Sequence, residues 1–387
     1  MAIVINGSGT VTGLAVGGLP DGTVDEGTLA TDSVTAAKIP ASLENTFVSG
    51  RKNLIINGAM QVAQRGTSTA LVTNGFTVDR WKNHQSGSTT ARFTITQDTD
   101  TPSGFSSSLK WDCTTALATL GADDALHSDM RIEGLDIQHL AYGTSDAKSL
   151  TVSFWIKSNK VGTYVVWMYL PDGARHSANT YTIDTADTWE KKTLTFAGNT
   201  TQVISNDNTS GMYLRFVYGA GSDYTSGTQV TSWANNVNAN RYAAQTVNLA
   251  DSTSNYLNIT GVQLEVGSTA TEFEHRSYGE ELALCQRYYQ AFGSNRFYSP
   301  SLNGGTGKNI ISVPFIQVMR VVPTLSFTDR DGNSSKFSYH SSNVGSTHNG
   351  DNAIYTTYFY NGQLFVLPDS YTGYTSWVQT VKLDSEL

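Results

Sequence analysis

The chain has 387 residues, room for two globular domains beside any extended segment. Only 15% are Asp, Glu, Lys or Arg, and the formal net charge is −8, so the composition offers no basic footprint for nucleic acid or an anionic membrane. Cys113 and Cys285 are too few for a disulfide framework or a metal knuckle, and neither a secretory signal nor an apolar run of about 18 residues occurs, so no export or membrane insertion is expected. The abundant Tyr, Thr, Ser, Asn and Gly suit neutral sugars, which are held by aromatic faces and by amide and hydroxyl hydrogen bonds.

Near the amino end, apolar residues recur at every fifth position: Leu14, Leu19, Val24, Leu29, Val34 and Ile39. Five residues advance a helix by roughly 500°, and an odd spacing in a strand sends successive side chains to opposite faces, so neither element buries this ladder. Residues 1–48 are therefore expected to form an extended stalk, at most ~160 Å long, whose apolar groups need neighbouring chains. A Gly/Ser/Thr-rich linker with accidental periodicity is the alternative reading.

From Asn53 onward, short β-branched and aromatic runs alternate with turn signals, which is the pattern of antiparallel sandwiches. In SLTVSFWIKS, Leu150, Val152, Phe154 and Ile156 share one face, and Thr151, Ser153 and Trp155 the other, which predicts a half-buried strand. Tyr164 to Leu170 is the next strand, stopped by Pro171-Asp172-Gly173, followed by Thr193–Phe196, Met212–Tyr218 and Leu257–Val266.

Ser277 and Glu280 form a capping box that opens a helix expected over Tyr278 to Phe292, with Leu282, Cys285 and Tyr289 on its apolar stripe. Beyond it, Ile354–Tyr360 and Gln363–Leu367 flank Asn361-Gly362, a strong hairpin signal. Trp377 to Leu383 is a closing strand, and 341–352 a long surface loop. The predicted fold is all-β: an extended stalk (1–48), a jelly-roll β-sandwich (49–276), a linking helix (277–292) and a small distal β-domain (293–387).

Three segments resemble tail-fibre proteins of tailed bacteriophages, especially those of cyanobacteria and other marine bacteria. They are NLIINGAMQVAQRG (53–66) with FTVDRW (76–81), ITGVQLEVGSTATEFEHRSYGEELALCQRYYQ (259–290), and KLDSEL (382–387). The stalk phrase GLPDGTVDEGTLATDSVTAAKI resembles the attachment region of such fibres. The resemblance implies a homotrimeric virion protein, assembled in the host cytoplasm. Its amino end would join a tail or baseplate protein, and its outer parts would meet host surface polysaccharide. The middle region, through SFWIKS, WEKKTLTF and GVQLEVG, is similar to jelly-roll carbohydrate-binding modules. Some of these hold a structural calcium near the position of Glu265, but a single carboxylate is poor support for one, and no metal or other cofactor is expected.

No motif for catalysis stands out, and the chain is expected not to be an enzyme. Asp123, Asp124, Asp129 and Glu133 form the densest acidic stretch, which keeps a polysaccharide depolymerase as one alternative; a purely structural tail or collar fibre is another. Asp79-Arg80-Trp81 reads as structural, with Asp79 and Arg80 directed apart. The glycan-binding candidates are aromatic: Trp167 and Tyr169 on one strand face beside Arg175 and His176, Tyr224 and Trp233 in a polar loop region, and the distal Tyr371, Tyr374 and Trp377.

Overall fold

The computed structural model describes residues 51–86, 92–292, 315–328, 334 and 381–387, together with the course of the strands at 4–5, 11–12, 297–299, 311–314, 338–340, 347–349, 355–360, 363–368, 375–378 and 380. The chain divides into two units, Met1–Gly50 and Arg51–Leu387. In the first, β1 (Val4–Ile5) pairs antiparallel with β2 (Val11–Thr12). The apolar ladder from Leu14 to Ile39 lies outside the described residues.

The body of the second unit is an antiparallel sandwich of jelly-roll type. Its strands are β3 (Ser68–Leu71), β4 (Asn74–Phe76), β5 (Lys82–Gln85), β6 (Phe93–Asp98), β7 (Ser108–Cys113), β8 (Ala125–Glu133), β9 (Leu150–Ser158), β10 (Gly162–Leu170), β11 (Arg175–Ile183), β12 (Glu190–Phe196), β13 (Ser210–Ala220), β14 (Ala234–Asn235) and β15 (Tyr256–Val266). One sheet runs β14-β11-β10-β13-β8-β5-β4 and the facing sheet β12-β9-β15-β7-β6-β3. Their inner faces meet in one apolar core. Phe154 of β9 packs edge-on against Phe216 of β13 at 4.9 Å, and Trp111 of β7 against Tyr218 of β13 at 5.0 Å. Leu150, Val152, Phe154 and Ile156 are all fully buried, each contributing roughly 1.5–3 kcal/mol. The other face of β9 is not open as expected: Thr151 and Ser153 are buried too, because the chain leaving β15 crosses it and Gly267 O accepts from the Thr151 hydroxyl at 2.8 Å.

Among the described residues the α-helices are α1 (Ser222–Thr225), between β13 and β14, and α2 (Tyr278–Gln286), after β15. The Ser277 hydroxyl accepts from Glu280 N at 3.3 Å, as a capping residue does. The helix nevertheless stops at Gln286 instead of reaching Phe292, since Tyr289–Phe292 is a strand, β16. The remaining strands are β17 (Phe297–Ser299), β18 (Ile311–Pro314), β19 (Thr324–Thr328), β20 (Ser338–His340), β21 (Thr347–Asn349), β22 (Tyr355–Tyr360), β23 (Gln363–Pro368), β24 (Thr375–Val378) and β25 (Thr380–Asp384). β16 pairs with β25, which also pairs with β19, and this pairing captures the aromatic residues that a longer helix would have held. Tyr360 stands opposite Gln363, the register of a two-residue hairpin connection. β21 falls within the stretch expected to be loop and pairs with β20.

The segments that carry the family resemblance converge in space. Asn57, held at φ 58°, donates through Nδ2 to Val62 O and Asp79 O, both at 2.9 Å, and its carbonyl accepts from Trp81 Nε1 at 3.1 Å. Gly58 is required there, because a Cβ would lie 2.1 Å from Val262 O. Asn53 Oδ1 accepts from Leu264 N, and Asn57 N donates to Glu281 Oε1 at 2.5 Å. Asp79 and Arg80 diverge because Arg80 has φ 72° in a turn, not because a strand alternates there. Asp79 accepts from Gln64 and faces Arg65, while Arg80 pairs with Glu386 and stacks on Tyr288 at 3.4 Å. Arg65 also bonds Asp384 at 3.0 Å, and Arg320 bonds Asn208 O. Residues expected in a separate distal domain from 293 onward thus include several bonded directly to the sandwich.

Candidate functional site

The outward face of the seven-stranded sheet carries a row of polar and aromatic side chains built by register. Along β8, alternation turns Leu126, Ser128, Met130 and Ile132 toward the core and His127, Asp129 and Arg131 outward. Pairing sets Arg215 of β13 opposite Asp129, and Tyr213 opposite Arg131. β10 adds Trp167 opposite Arg215 and Tyr169 opposite Tyr213, while β5 adds Lys82 opposite Asp129 and His84 opposite His127. The 221–245 segment covers part of this face and supplies Tyr224, Arg241 and Tyr242, with Tyr242 N donating to Tyr224 O at 2.9 Å. Between them lies a cleft of about 280 Å³, lined by His84, His127, Asp129, Arg131, Arg215, Tyr224, Arg241 and Tyr242, with Lys82 and Asn74 at its edge strands.

Stacking orders the aromatic part. Trp167 and Tyr169 lie parallel, centroids 4.9 Å apart, and Tyr213 meets Tyr169 edge-on at 5.6 Å. Trp167 Nε1 donates to His176 Nδ1 at 2.9 Å, which fixes the indole in its slot. Trp167 is 2% exposed and therefore a support, whereas Tyr169, Tyr213 and Tyr224 are half-buried. The Arg215 guanidinium lies 4.9 Å from the Trp167 ring, and Arg131 lies 4.4 Å from Tyr213.

The charged part centres on Asp129, which is 1% exposed. Its carboxylate accepts from Arg131 Nε at 3.0 Å and Arg215 Nη2 at 3.4 Å, and His127 Nδ1 lies 3.0 Å away. Burial works against its charge, but Arg215, His127 and Arg131 outweigh burial and hold its carboxyl below the usual carboxylate range. Burial first, and the Arg215 charge second, lowers His127 to about 3, so the imidazole is neutral at pH 7. The same two causes lower His84, whose ring stacks on His127 at 4.6 Å.

Of the sequence candidates, Trp167, Tyr169 and Tyr224 come together on this face. Trp233 does not: it packs against the main core, meets Tyr142 edge-on at 5.9 Å, and donates to Ala197 O at 2.6 Å. Arg175 donates to Asn235 Oδ1 and Trp233 O, away from the cleft. Tyr371 and Tyr374 lie outside the described residues, and Trp377 falls in β24, for which only the strand course is described. Of the acidic stretch, Asp124 accepts from Gly121 N at 2.6 Å, and Glu133 is fully buried against Arg287 and Tyr288. Glu265 accepts from Thr271 N and Oγ1 and from Gln263 Nε2. Sequence reasoning missed Lys82, His84, His127, Arg131, Tyr213, Arg215, Arg241 and Tyr242. The available signal was the alternation of polar residues in His127-x-Asp129-x-Arg131 and Tyr213-x-Arg215 on otherwise apolar strands.

No protein-family model matches the chain, nor does any curated protein. Among solved structures, the enzymatically active domain of tailspike protein 4 of bacteriophage CBA120 matches at 15% identity and TM-score 0.30, over 55% of this chain and 21% of its own. A family 11 carbohydrate-binding module of Clostridium thermocellum matches at 12% identity and TM-score 0.25, over 53% of this chain and 99% of its own. A xylan-binding domain of Paenibacillus barcinonensis matches at 9% identity and TM-score 0.25, over 57% and 100%. The chain thus spans about a fifth of the tailspike domain's length. Likenesses this low establish neither a family nor a ligand.

Proposed function

We propose that this chain is a phage tail-fibre protein that binds host surface glycan through the outward face of the seven-stranded sheet. It acts as a homotrimer joined by its amino-terminal segment to a tail or baseplate protein. The observation that carries the binding reading is the cluster of half-buried Tyr169, Tyr213 and Tyr224, propped by Trp167, around side chains rich in hydrogen-bond donors. Aromatic faces stack on the apolar faces of sugars, and fixed donors around them read hydroxyl positions. The virion setting and the trimer rest on the sequence resemblance and the period-five ladder. The activity is binding without cleavage. Asp124, Asp129 and Glu133 are each committed to internal hydrogen bonds or ion pairs, which favours this reading over the depolymerase.

The test is adsorption of the purified full chain to bacterial cells. Loss of one stacking ring costs ~1 kcal/mol, so Tyr169→Ala and Tyr213→Ala should each weaken binding about fivefold at a temperature where both variants remain folded. Unchanged adsorption in both variants would move the binding surface elsewhere. Release of reducing ends from the cell polysaccharide would replace the adhesin by a hydrolase. A monomer or dimer by light scattering would remove the trimer.

A further inference from the structure

We infer that the cleft takes an acidic sugar, one whose ring carries a carboxylate or a sulfate, rather than the neutral glycan that composition suggests. This inference rests on the glycan-binding reading and names its ligand class. Four cations, Lys82, Arg131, Arg215 and Arg241, line the cleft against one carboxylate, Asp129, in a chain whose formal net charge is −8. Asp129 is already shared by Arg131 and Arg215. Arg215 also donates to Tyr242 OH at 2.7 Å, and its buried Nε has no partner. Arg131 is bonded only through Nε to Asp129, and Arg241 only through Nε to Asn236 Oδ1. Among the described residues, the terminal nitrogens of both guanidiniums and Lys82 Nζ have no hydrogen-bond partner.

Cations gathered in this way repel one another, and the repulsion registers on their neighbours. Burial and then the charge of Arg131 lower Lys82, and burial and then Arg215 lower both His84 and His127. An arriving anion relieves this, whereas a neutral sugar leaves it in place. A guanidinium offers two parallel N–H groups to a carboxylate or sulfate, and the Tyr213 ring beside Arg131 helps hold the plane of that fork. The neutral imidazole of His127 adds polar contacts without further charge. One aromatic surface for the ring and one donor fork for its acidic substituent therefore stand side by side.

The experiment is affinity electrophoresis of the full chain through gels containing polygalacturonate, chondroitin sulfate, hydroxyethyl cellulose or no polymer, at low and high salt, with single-stranded DNA as a fifth gel. Expected is retardation by polygalacturonate, by chondroitin sulfate, which carries carboxylate and sulfate together, or by both, at least tenfold weaker at high salt. Arg241→Gln should weaken it about tenfold with an unchanged melting temperature; Arg131→Gln, which also loses the bond to buried Asp129, should weaken it as much at a temperature where the variant is still folded; and Lys191→Gln, an exposed lysine on the facing sheet, should leave it unchanged. Salt-insensitive retardation by hydroxyethyl cellulose alone, lost in Tyr213→Ala, would overturn the acidic-sugar inference while sustaining glycan binding. Retardation by DNA alone, by no polymer, or equally in wild type and both arginine variants would also overturn it.

Discussion

Asp129 and Glu133 lie four residues apart on the same face of β8, yet they anchor ionic clusters of opposite character. Around Glu133 the charges balance: Arg287 reaches both its oxygens at 2.8 and 2.7 Å, Tyr288 donates at 2.6 Å, and beyond them Arg80 meets Glu386 and Arg65 meets Asp384. Around Asp129 the cations outnumber the carboxylate, and donors remain free beside an open cleft. Burial of charge alone does not mark a binding site. A balanced, closed cluster serves the fold alone, whereas the surplus of cations around Asp129 is what the proposed binding of an acidic sugar draws on.

The largest difference between the clusters should appear in stability. Removing Glu133 leaves the partly exposed Arg287 to water but strands the buried Tyr288 hydroxyl without an acceptor, at about 1–3 kcal/mol. Glu133→Ala should lower unfolding free energy by that amount in denaturant titrations, while the folded fraction retains carbohydrate binding; a loss under 1 kcal/mol would mean that the Glu133 cluster is not a lock.

Acid should separate the two clusters by sign. His127, lowered to about 3 mainly by burial, binds its proton more weakly folded than unfolded, so its contribution is present above about pH 6.5 and is lost as pH falls toward 3. Asp79 is raised to about 6, chiefly by burial and against Gln64 and Arg65, so the folded state binds that proton more tightly and gains stability as pH falls from about 6 toward 3.8. Between pH 7 and 5, His127→Gln should therefore be spared about 2 kcal/mol of wild-type loss, and Asp79→Asn should forgo about 1 kcal/mol of gain. Parallel pH–stability curves for wild type and His127→Gln would contradict this assignment.

The smallest effect concerns Trp233, placed among the binding candidates by its loop-like surroundings. Trp233→Phe loses the hydrogen bond to Ala197 O and should cost about 1 kcal/mol of stability with adsorption unaltered. A several-fold loss of adsorption would return Trp233 to the binding surface.

The strands were largely legible, because alternation and turn residues are local signals: Tyr164–Leu170 and Leu257–Val266 fall within β10 and β15. The end of α2 was misjudged because Tyr289–Phe292 is claimed by β25, a partner far along the chain. The cleft was hidden for a related reason. Lys82, Asp129, Arg215 and Trp167 sit on four strands and become neighbours only through register. Net charge misled as well, since a sum of −8 conceals a local surplus of cations. The segments that carry the family resemblance, by contrast, build the hydrogen-bonded framework around Asn57 and Trp81 and leave the cleft to residues outside them.

The pairing of Arg80 with Glu386 spans 306 residues of sequence, and that of Arg65 with Asp384 spans 319. Because a ribosome delivers the amino-terminal side first, both guanidiniums are made long before the carboxylates that neutralise them. A nascent chain released short of Asp384 would hold Arg80 with no countercharge in the place that Glu386 fills. The sandwich is therefore clasped only once residues 384–386 have been made, and a chain stopped before Asp384 lacks both ion pairs.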